Sequence, residues 1–151
     1  MTNPVIAAYI ESGERFVALA RSSDDQKMSK VPASDEWNGA FIVHHMADFE
    51  IHFAHRILRL LTEENPPIAG YSEEPYPSHL NYAKRDWRTS VELIQATRKT
   101  IGDVLSKVEA SAFSRPGVHS ERGPITLEDI VGSAAKHISA HTEQLNAALN
   151  S

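Results

Sequence analysis

Two histidines near the carboxyl end of the chain stand four residues apart. His137 and His141 lie in a segment with helical periodicity, where this spacing places two side chains ~40° apart around the axis and ~6 Å apart along it. Two imidazoles in that arrangement can bind one metal ion. Both fall on one flank of the apolar stripe of their helix. The spacing alone is equally compatible with two core histidines that bind no metal.

The tandem pair His44 and His45 offers a third ligand from an earlier helix. His45 lies ~60° from the centre of that helix's apolar stripe and His44 ~160° from it. We therefore expect His45 to face the core and His44 to face solvent or a neighbouring subunit. Three imidazoles from two helices leave coordination positions open, which is typical of a catalytic metal site. The predicted ligands are His45, His137 and His141.

Three further side chains on the same helix could take part in chemistry. His52 lies ~10 Å along the axis from His45, too far to share an ion, but it could line the same cavity. Arg56 follows on the same flank, where it could bind a substrate carboxylate or form a structural salt bridge. The salt bridge is the preferred interpretation. Asp48 and His52 form a rival metal-binding pair, ranked lower because Asp48 lies farther from the core face.

The remaining histidines and the two tryptophans are given no role in chemistry. His55, His79 and His119 are expected at the surface, and Trp37 and Trp87 are expected to pack in the core. The segment that contains Arg115 and His119 precedes the last helix, and a loop at that place could also rim a cavity of the bundle.

Four helical segments must position these residues. They are predicted at 4–21, 38–62, 78–108 and 126–149, with Asn38 and Thr126 as N-caps. The polar stretch 22–36 is predicted to be a loop, the stretch 110–124 is predicted to be irregular, and no strand pattern is evident. The sequence therefore predicts an all-α four-helix bundle formed by one domain, 1–151. Its long loops leave room for a non-sequential order of the helices.

Composition excludes several classes of protein. The 151 residues include no cysteine, so disulfides, thiolate ligands and a protein thiol nucleophile are absent. A net charge of -5 argues against general nucleic-acid binding. No apolar run approaches the ~18 residues that span a bilayer, and no secretory signal is visible. We expect a cytoplasmic protein with a small-molecule substrate. The unusual feature of the composition is its eight histidines.

Several motifs together resemble the DinB/YfiT-like superfamily. They are Trp37 with an N-cap after it, the run 42–48 (IVHHMAD), Arg56, the run 61–66 (LTEENP), the run 125–128 (ITLE), and His137-x3-His141-x2-Gln144. The resemblance implies a bundle in up-down-down-up order, a metal site formed by His45, His137 and His141, and a homodimer. Three positions depart from the family pattern: Asn38 replaces Ser or Thr, Glu50 replaces a histidine of one branch, and Thr142 replaces a further histidine.

Three functions fit the predicted site. The first is a metal-dependent S-transferase, because known relatives transfer small thiols to electrophiles and a cation lowers the pKa of a bound thiol. The second is a hydrolase that activates water, with His52, Asp48 or Glu50 as candidate bases and His52 favoured by helical phase. The third is a non-enzymatic metal-binding or interaction domain. One divalent ion is expected, Zn or Ni first, with Fe, Co, Cu or Mn as alternatives.

Overall fold

The computed structural model describes residues 3–33 and 35–151. Four long helices make up most of it, and short helices, 3-10 turns and strands occupy the connections. In chain order these elements are α1 (Pro4–Arg21), α2 (Asp25–Ser29), α3 (Gly39–Thr62), β1 (Pro67–Ile68), α4 (Tyr76–His79), a 3-10 turn (Tyr82–Lys84), α5 (Trp87–Lys107), a 3-10 turn (Ala110–Ser114), β2 (Pro116–His119), β3 (Gly123–Thr126) and α6 (Leu127–Leu149).

The long helices are not neighbours in the order in which the chain forms them. Helix α1 packs against α5 and α6, and α3 packs against the same two, so α1 and α3 lie diagonally across the bundle. His44 contacts Ser90 and, farther along both helices, Glu50 contacts Arg98, so α3 and α5 run in the same direction.

Helix α6 runs against α3. Its last turn packs at Gly39, the first residue of α3, through Leu149, and His141 meets His45 farther along. The opposed direction brings the middle of α6 to the middle of α3.

Helix α1 shares the direction of α6. Asn3 donates to Glu128 at 2.7 Å, and Val5 packs at Gly132 one turn later. The four long helices therefore run up, down, down and up. The predicted fold class, including its non-sequential order, is confirmed.

A buried ion pair joins all four helices at the middle of the bundle. Arg98 on α5 donates from Nε and Nη2 to the two carboxylate oxygens of Glu50 on α3, at 2.8 and 2.7 Å. The same guanidinium reaches the carbonyl of Tyr9 on α1 at 2.7 Å and that of Ala134 on α6 at 2.9 Å. Burial raises the pKa of Glu50 above its ordinary value, and the Arg98 guanidinium offsets part of that rise. The bidentate contact is typical of an ionised pair.

Two apolar clusters fill the bundle interior. One includes the carboxyl half of α3 and the start of α6, and contains Phe53, Ile57, Leu60, Leu127 and Ile130. The other includes the amino half of α3 and the end of α6, and contains Phe16, Ile42, Met46, Ile138 and Leu145. Among the described residues, no helix is long and apolar enough to cross a membrane.

Two predicted boundaries are wrong in the connections between helices. The stretch 22–36 contains α2, which begins because the Asp24 side chain caps the backbone N–H of Lys27 and which buries Met28 against α3. The third long helix begins at Trp87, not at Ser78. Asn81 has a positive φ of 53° that interrupts the earlier turns, and Asp86 then caps α5.

The segment expected to be irregular forms a hairpin, which makes a small sheet with the connection between α3 and α5. Strand β2 pairs antiparallel with β3 and parallel with β1. Strands of two to four residues are too short to show a period-two pattern, so the sequence did not reveal them. Arg115 donates to the carbonyls of Leu60 and Glu63 at 2.6 and 3.0 Å. This contact fixes the hairpin to the carboxyl end of α3.

Candidate metal centre

The structure brings the three predicted imidazoles together between α3 and α6. His45 Nε2 lies 3.2 Å from His137 Nε2 and 3.1 Å from His141 Nε2, and the last two atoms are 3.2 Å apart. His45 is completely buried and the other two are partly exposed. Within the described residues, this is the one group of three or more histidines, aspartates and glutamates that could hold a metal ion.

The spacing and protonation of the three nitrogens fit a cation. Donors bonded to one tetrahedral Zn²⁺ at ~2.1 Å are about 3.4 Å apart. Burial, and then the neighbouring charges of His141 and His137, lowers the pKa of His45 to about 3. Burial, followed by His141, lowers the pKa of His137 to about 4. Both rings are neutral near pH 7, as metal binding requires.

Hydrogen bonding orients one of these rings. His141 Nδ1 lies 2.6 Å from Gln144 Oε1, so it carries the proton and donates to the amide oxygen. The His141 Nε2 lone pair therefore points at the other two imidazoles. Nδ1 of His45 and of His137 are buried without a hydrogen-bond partner among the described residues. With their protons on Nδ1, His45 and His137 would direct their Nε2 lone pairs at the same point as His141, where a cation would bind all three rings.

Aromatic side chains form the wall of the site. The His45 ring lies 4.7 Å from the Phe49 ring and 5.2 Å from the Trp37 ring, measured between centroids. The His137 ring lies 5.6 Å from Phe53 and 5.9 Å from Phe49. Trp37 is therefore a packing residue as predicted, but what it packs against is the candidate site itself.

A carboxylate that the sequence did not point to stands beside the triad. Glu73 Oε2 lies 3.7 Å from His45 Nε2, and the Glu73 side chain is 53% exposed. Because the pKa of His45 is depressed, this contact is not an ion pair near pH 7. Glu73, His141 and Gln144 line an open pocket of about 430 Å³. Glu73 lies in an irregular stretch without periodicity, so no sequence pattern could relate it to His45.

His52 lies next to the triad but does not join it. Its Nε2 lies 2.7 Å from the Tyr76 hydroxyl, and its ring stacks on Tyr71 with centroids 3.6 Å apart. Phe49 separates it from the triad, since the Phe49 ring contacts both His52 and His137. His52 lines a separate apolar pocket of about 430 Å³ with Tyr76. Burial, followed by the charge of Arg56, lowers its pKa.

The preferred interpretation of Arg56 is wrong. Within residues 3–33 and 35–151 it forms no ion pair, and its one hydrogen bond runs from Nη2 to the Ala69 carbonyl at 2.7 Å. The guanidinium lies over the rings of Phe53 and Tyr71, at 5.4 and 5.1 Å from their centroids. Among the residues that the structure describes, its buried Nε has no hydrogen-bond partner.

The two other carboxylates considered as bases or ligands are already engaged. Asp48 accepts hydrogen bonds from both terminal nitrogens of Arg85, at 2.9 and 3.0 Å, and from the Tyr82 hydroxyl, at 2.8 Å. The rival pair with His52 is therefore not available for a metal. Glu50 is completely buried in its pair with Arg98 and cannot act as a base.

Two histidines lie in the interior against prediction. His44 is completely buried and its Nδ1 lies 2.8 Å from Ser90 Oγ, because α3 packs on α5 as well as on α6. His119 is 7% exposed, and its Nδ1 accepts the backbone N–H groups of Glu121 and Arg122 in the hairpin turn. His55 and His79 are exposed, as expected. Trp87 is buried and donates to Asp25 at 2.8 Å.

Comparison with known proteins identifies the class to which this fold and site belong. A sequence model of the DinB superfamily matches residues 8–145, so the chain belongs to that superfamily. The earlier resemblance is confirmed.

The individual proteins that resemble this chain share about a quarter of its residues. "Putative metal-dependent hydrolase BH0277" of Halalkalibacterium halodurans is 24% identical over 89% of this chain and 78% of that protein. "Putative metal-dependent hydrolase OB0782" of Oceanobacillus iheyensis is 26% identical over 96% of this chain and 88% of that protein. The solved structure of YfiT from Bacillus subtilis, described as a probable metal-dependent hydrolase with an unusual four-helix bundle topology, superposes with a TM-score of 0.84. The two sequences are 23% identical, and the match covers 96% of this chain and 83% of that one. The likeness supports the four-helix fold.

Proposed function

We propose that the protein is a metal-dependent hydrolase whose cation is held by His45, His137 and His141. The observation that carries this proposal is the convergence of three imidazole nitrogens within 3.2 Å of one another, beside a free carboxylate and an open pocket. The names of the relatives from Halalkalibacterium and Oceanobacillus point to the same class of reaction.

Each of these residues has a separate task. A divalent cation in a site of this kind lowers the pKa of a water molecule to about 7. His45 and His137 supply neutral nitrogen ligands, and Gln144 holds the His141 ring in the tautomer whose Nε2 can bind metal. Glu73 Oε2, on the pocket side of His45, is placed to accept the proton of the attacking nucleophile. The pocket lined by Glu73, His141 and Gln144 has the size of a small-molecule site.

Thiol transfer is the second candidate, and it is supported by the ligand set. Three neutral imidazoles leave the charge of a divalent cation uncompensated, which favours an anionic ligand such as a thiolate. The chain has no cysteine, so this nucleophile would arrive as a small cosubstrate. Glu73 would then accept the thiol proton.

Metal analysis with an esterase panel tests the proposal. Protein purified without an affinity tag is analysed for bound metal, then assayed on ester and amide substrates with and without an added small thiol. We expect about one divalent ion per chain, and hydrolysis without thiol. The His141→Ala variant should lose both the bound metal ion and the hydrolytic activity. His55→Ala is the matched control, because His55 is exposed on α3 and, among the described residues, forms no side-chain hydrogen bond or ion pair.

The role of Glu73 needs a variant that keeps the metal. Glu73→Gln should bind metal as the wild type does but turn over at least ~100-fold more slowly, which is the usual contribution of a general base. Equal metal in wild type and His141→Ala would refute the metal site. Turnover that requires thiol would select the transferase. Bound metal with no turnover on any substrate would leave a stabilising or sensing site.

A further inference from the structure

Within the described part of the chain, two arginines near the triad form no ion pair with a carboxylate. We propose that Arg56 and Arg122 form a subsite for an anionic group, a carboxylate or a phosphate, of the substrate that reacts at the metal. This inference rests on the proposed function, because it assigns the second binding point of the same substrate.

Arg122 is held at a defined height along α6. Its Nη1 donates to Ser133 Oγ at 3.1 Å. Ser133, His137 and His141 follow one another at intervals of four residues, so they form one row on the helix, with ~6 Å of rise between successive members. Arg122 is thus placed one turn before the first ligand of α6.

Arg56 reaches the same region from α3. The guanidinium and His137 both contact the Phe53 ring: Arg56 Cζ lies 5.4 Å from the ring centroid, and the centroid of the His137 ring lies 5.6 Å from it. The guanidinium and the imidazole cannot be farther apart than these two distances together. A small molecule can span that separation.

The charges of the two arginines act on the same neighbours. Burial is the largest cause of the lowered pKa of Arg56, and the charge of Arg122 lowers that pKa further. Burial, and then Arg56 and Arg122 together, lowers the pKa of His119. Glu121 acts in the opposite direction and raises the pKa of both groups, as Tyr71 does for Arg56. The Glu121 carboxylate lies against Gly70 and forms no ion pair with either arginine, and Arg122 also lies beside Glu128 and Asp129 without an ion pair to them within the described residues.

The hydrogen-bonding capacity of Arg56 is largely unused. A guanidinium has five N–H donors, and within the described part of the chain one interaction, with the Ala69 carbonyl, is formed. The Nε–H group is buried without an acceptor, which is costly for a polar group. Two other arginines in the bundle interior or at its edge, Arg85 and Arg98, each bind a carboxylate in bidentate fashion, whereas Arg115 donates to two backbone carbonyls. An anion in contact with Arg56 would complete an equivalent pair.

Bifunctional thiols test the subsite, because the thiol binds the metal and the other end probes the arginines. Cobalt-loaded protein is titrated with ω-mercaptoalkanoates of two to six carbons, with the corresponding mercapto alcohols and with mercaptoalkyl phosphates. The thiolate-to-cobalt absorption band reports binding without any need for turnover. We expect one chain length at which an acidic probe binds at least ~10-fold more tightly than the alcohol. The better of the two acids identifies the anionic group.

Variants separate anion binding from a purely structural role. Arg56→Gln and Arg122→Gln should each reduce the acid-to-alcohol affinity ratio at least ~3-fold, while binding of the alcohol stays unchanged. Arg15→Gln makes the same change in net charge at an exposed arginine on α1 and should keep the wild-type ratio. If Arg56 only anchors the segment around Ala69, Arg56→Gln should weaken the binding of acids and alcohols alike.

Failure of the metal site can be distinguished from failure of the subsite. A missing cobalt band, or a band that no thiol changes, refutes the proposed function. The subsite is then decided on metal-free protein, by the NMR shift of the Arg56 Nε–H signal on titration with hexanoate or hexyl phosphate against hexanol. Equal affinity for acid and alcohol, or a ratio unchanged in both arginine variants, overturns the inference.

Discussion

Replacing Arg98 by methionine tests the central ion pair, on which the alignment of the site depends. The substitution leaves the Glu50 carboxylate completely buried and removes its two hydrogen bonds from Arg98. An unpaired buried carboxylate escapes most of its desolvation penalty by taking up a proton. Protonating at pH 7 a group whose pKa in the unfolded chain is ~4.3 costs about 3.7 kcal/mol, at 1.36 kcal/mol per pH unit.

This cost predicts both a magnitude and a pH dependence. Arg98→Met should lower the free energy of unfolding by ~3–5 kcal/mol at pH 7. The folded variant then holds a proton on Glu50 that the unfolded chain lacks above pH ~4.3, so the variant becomes less stable as pH rises. Its deficit against wild type should therefore shrink by ~1.4 kcal/mol for each pH unit between 7 and 5.

Urea denaturation followed by circular dichroism at pH 5, 6 and 7 measures the effect. Lys107→Met, which removes an exposed pair with Asp103 on the same helix, should cost less than ~0.5 kcal/mol. Replacing the central pair as a whole, with Glu50→Leu and Arg98→Met together, should restore most of the loss. A deficit that is independent of pH would refute the assignment of Glu50 as an ionised, buried partner of Arg98.

Other consequences concern pH, the orientation of His141 and the hairpin. Burial depresses the pKa values of His44, His45 and His137 to about 3 or 4. Between pH ~6.5 and 4 the unfolded state therefore binds more protons than the folded state. The free energy of unfolding of metal-free protein, measured by urea titration, should fall with pH by up to ~1.4 kcal/mol per pH unit for each of these imidazoles. Gln144→Leu should weaken zinc binding ~10-fold or more in a competition assay and leave the melting temperature of metal-free protein unchanged. Gly117→Ala should destabilise by ~1–3 kcal/mol in the same urea assay, because its Cβ would lie 2.7 Å from the Leu60 side chain.

Helical phase was sufficient to predict the triad because its members depend on regular geometry. The His137 and His141 spacing needs one helix, and the choice of His45 over His44 needs one apolar stripe. The same reasoning was wrong for His44, because it assumed a single core-facing side of α3. That helix packs against α5 and α6 and also against the turn Tyr82–Lys84, so more of its circumference is interior.

Contacts made by irregular segments could not be predicted in this way. The partner of Arg56 is a backbone carbonyl, at Ala69, so no complementary charge in the sequence could indicate it. Glu73 approaches His45 from a stretch between β1 and α4 that has no period. The buried position of His119 depends on two backbone N–H groups of a tight turn. In each case the deciding group is a backbone atom or a residue without periodic neighbours.

The non-sequential helix order explains why the site divides into a rigid and a variable part. Because α3 and α6 are antiparallel neighbours, His45 and His137 meet although 92 positions separate them, and the Arg98 pair fixes both helices close to that point. The connection after α3 then crosses the site, where Tyr71 stacks on His52, Glu73 approaches His45 and Tyr76 bonds to His52. The metal ligands therefore depend on the helices, whereas the groups that a substrate meets depend on this connection. Changes within residues 69–76 should consequently alter substrate choice without altering metal affinity.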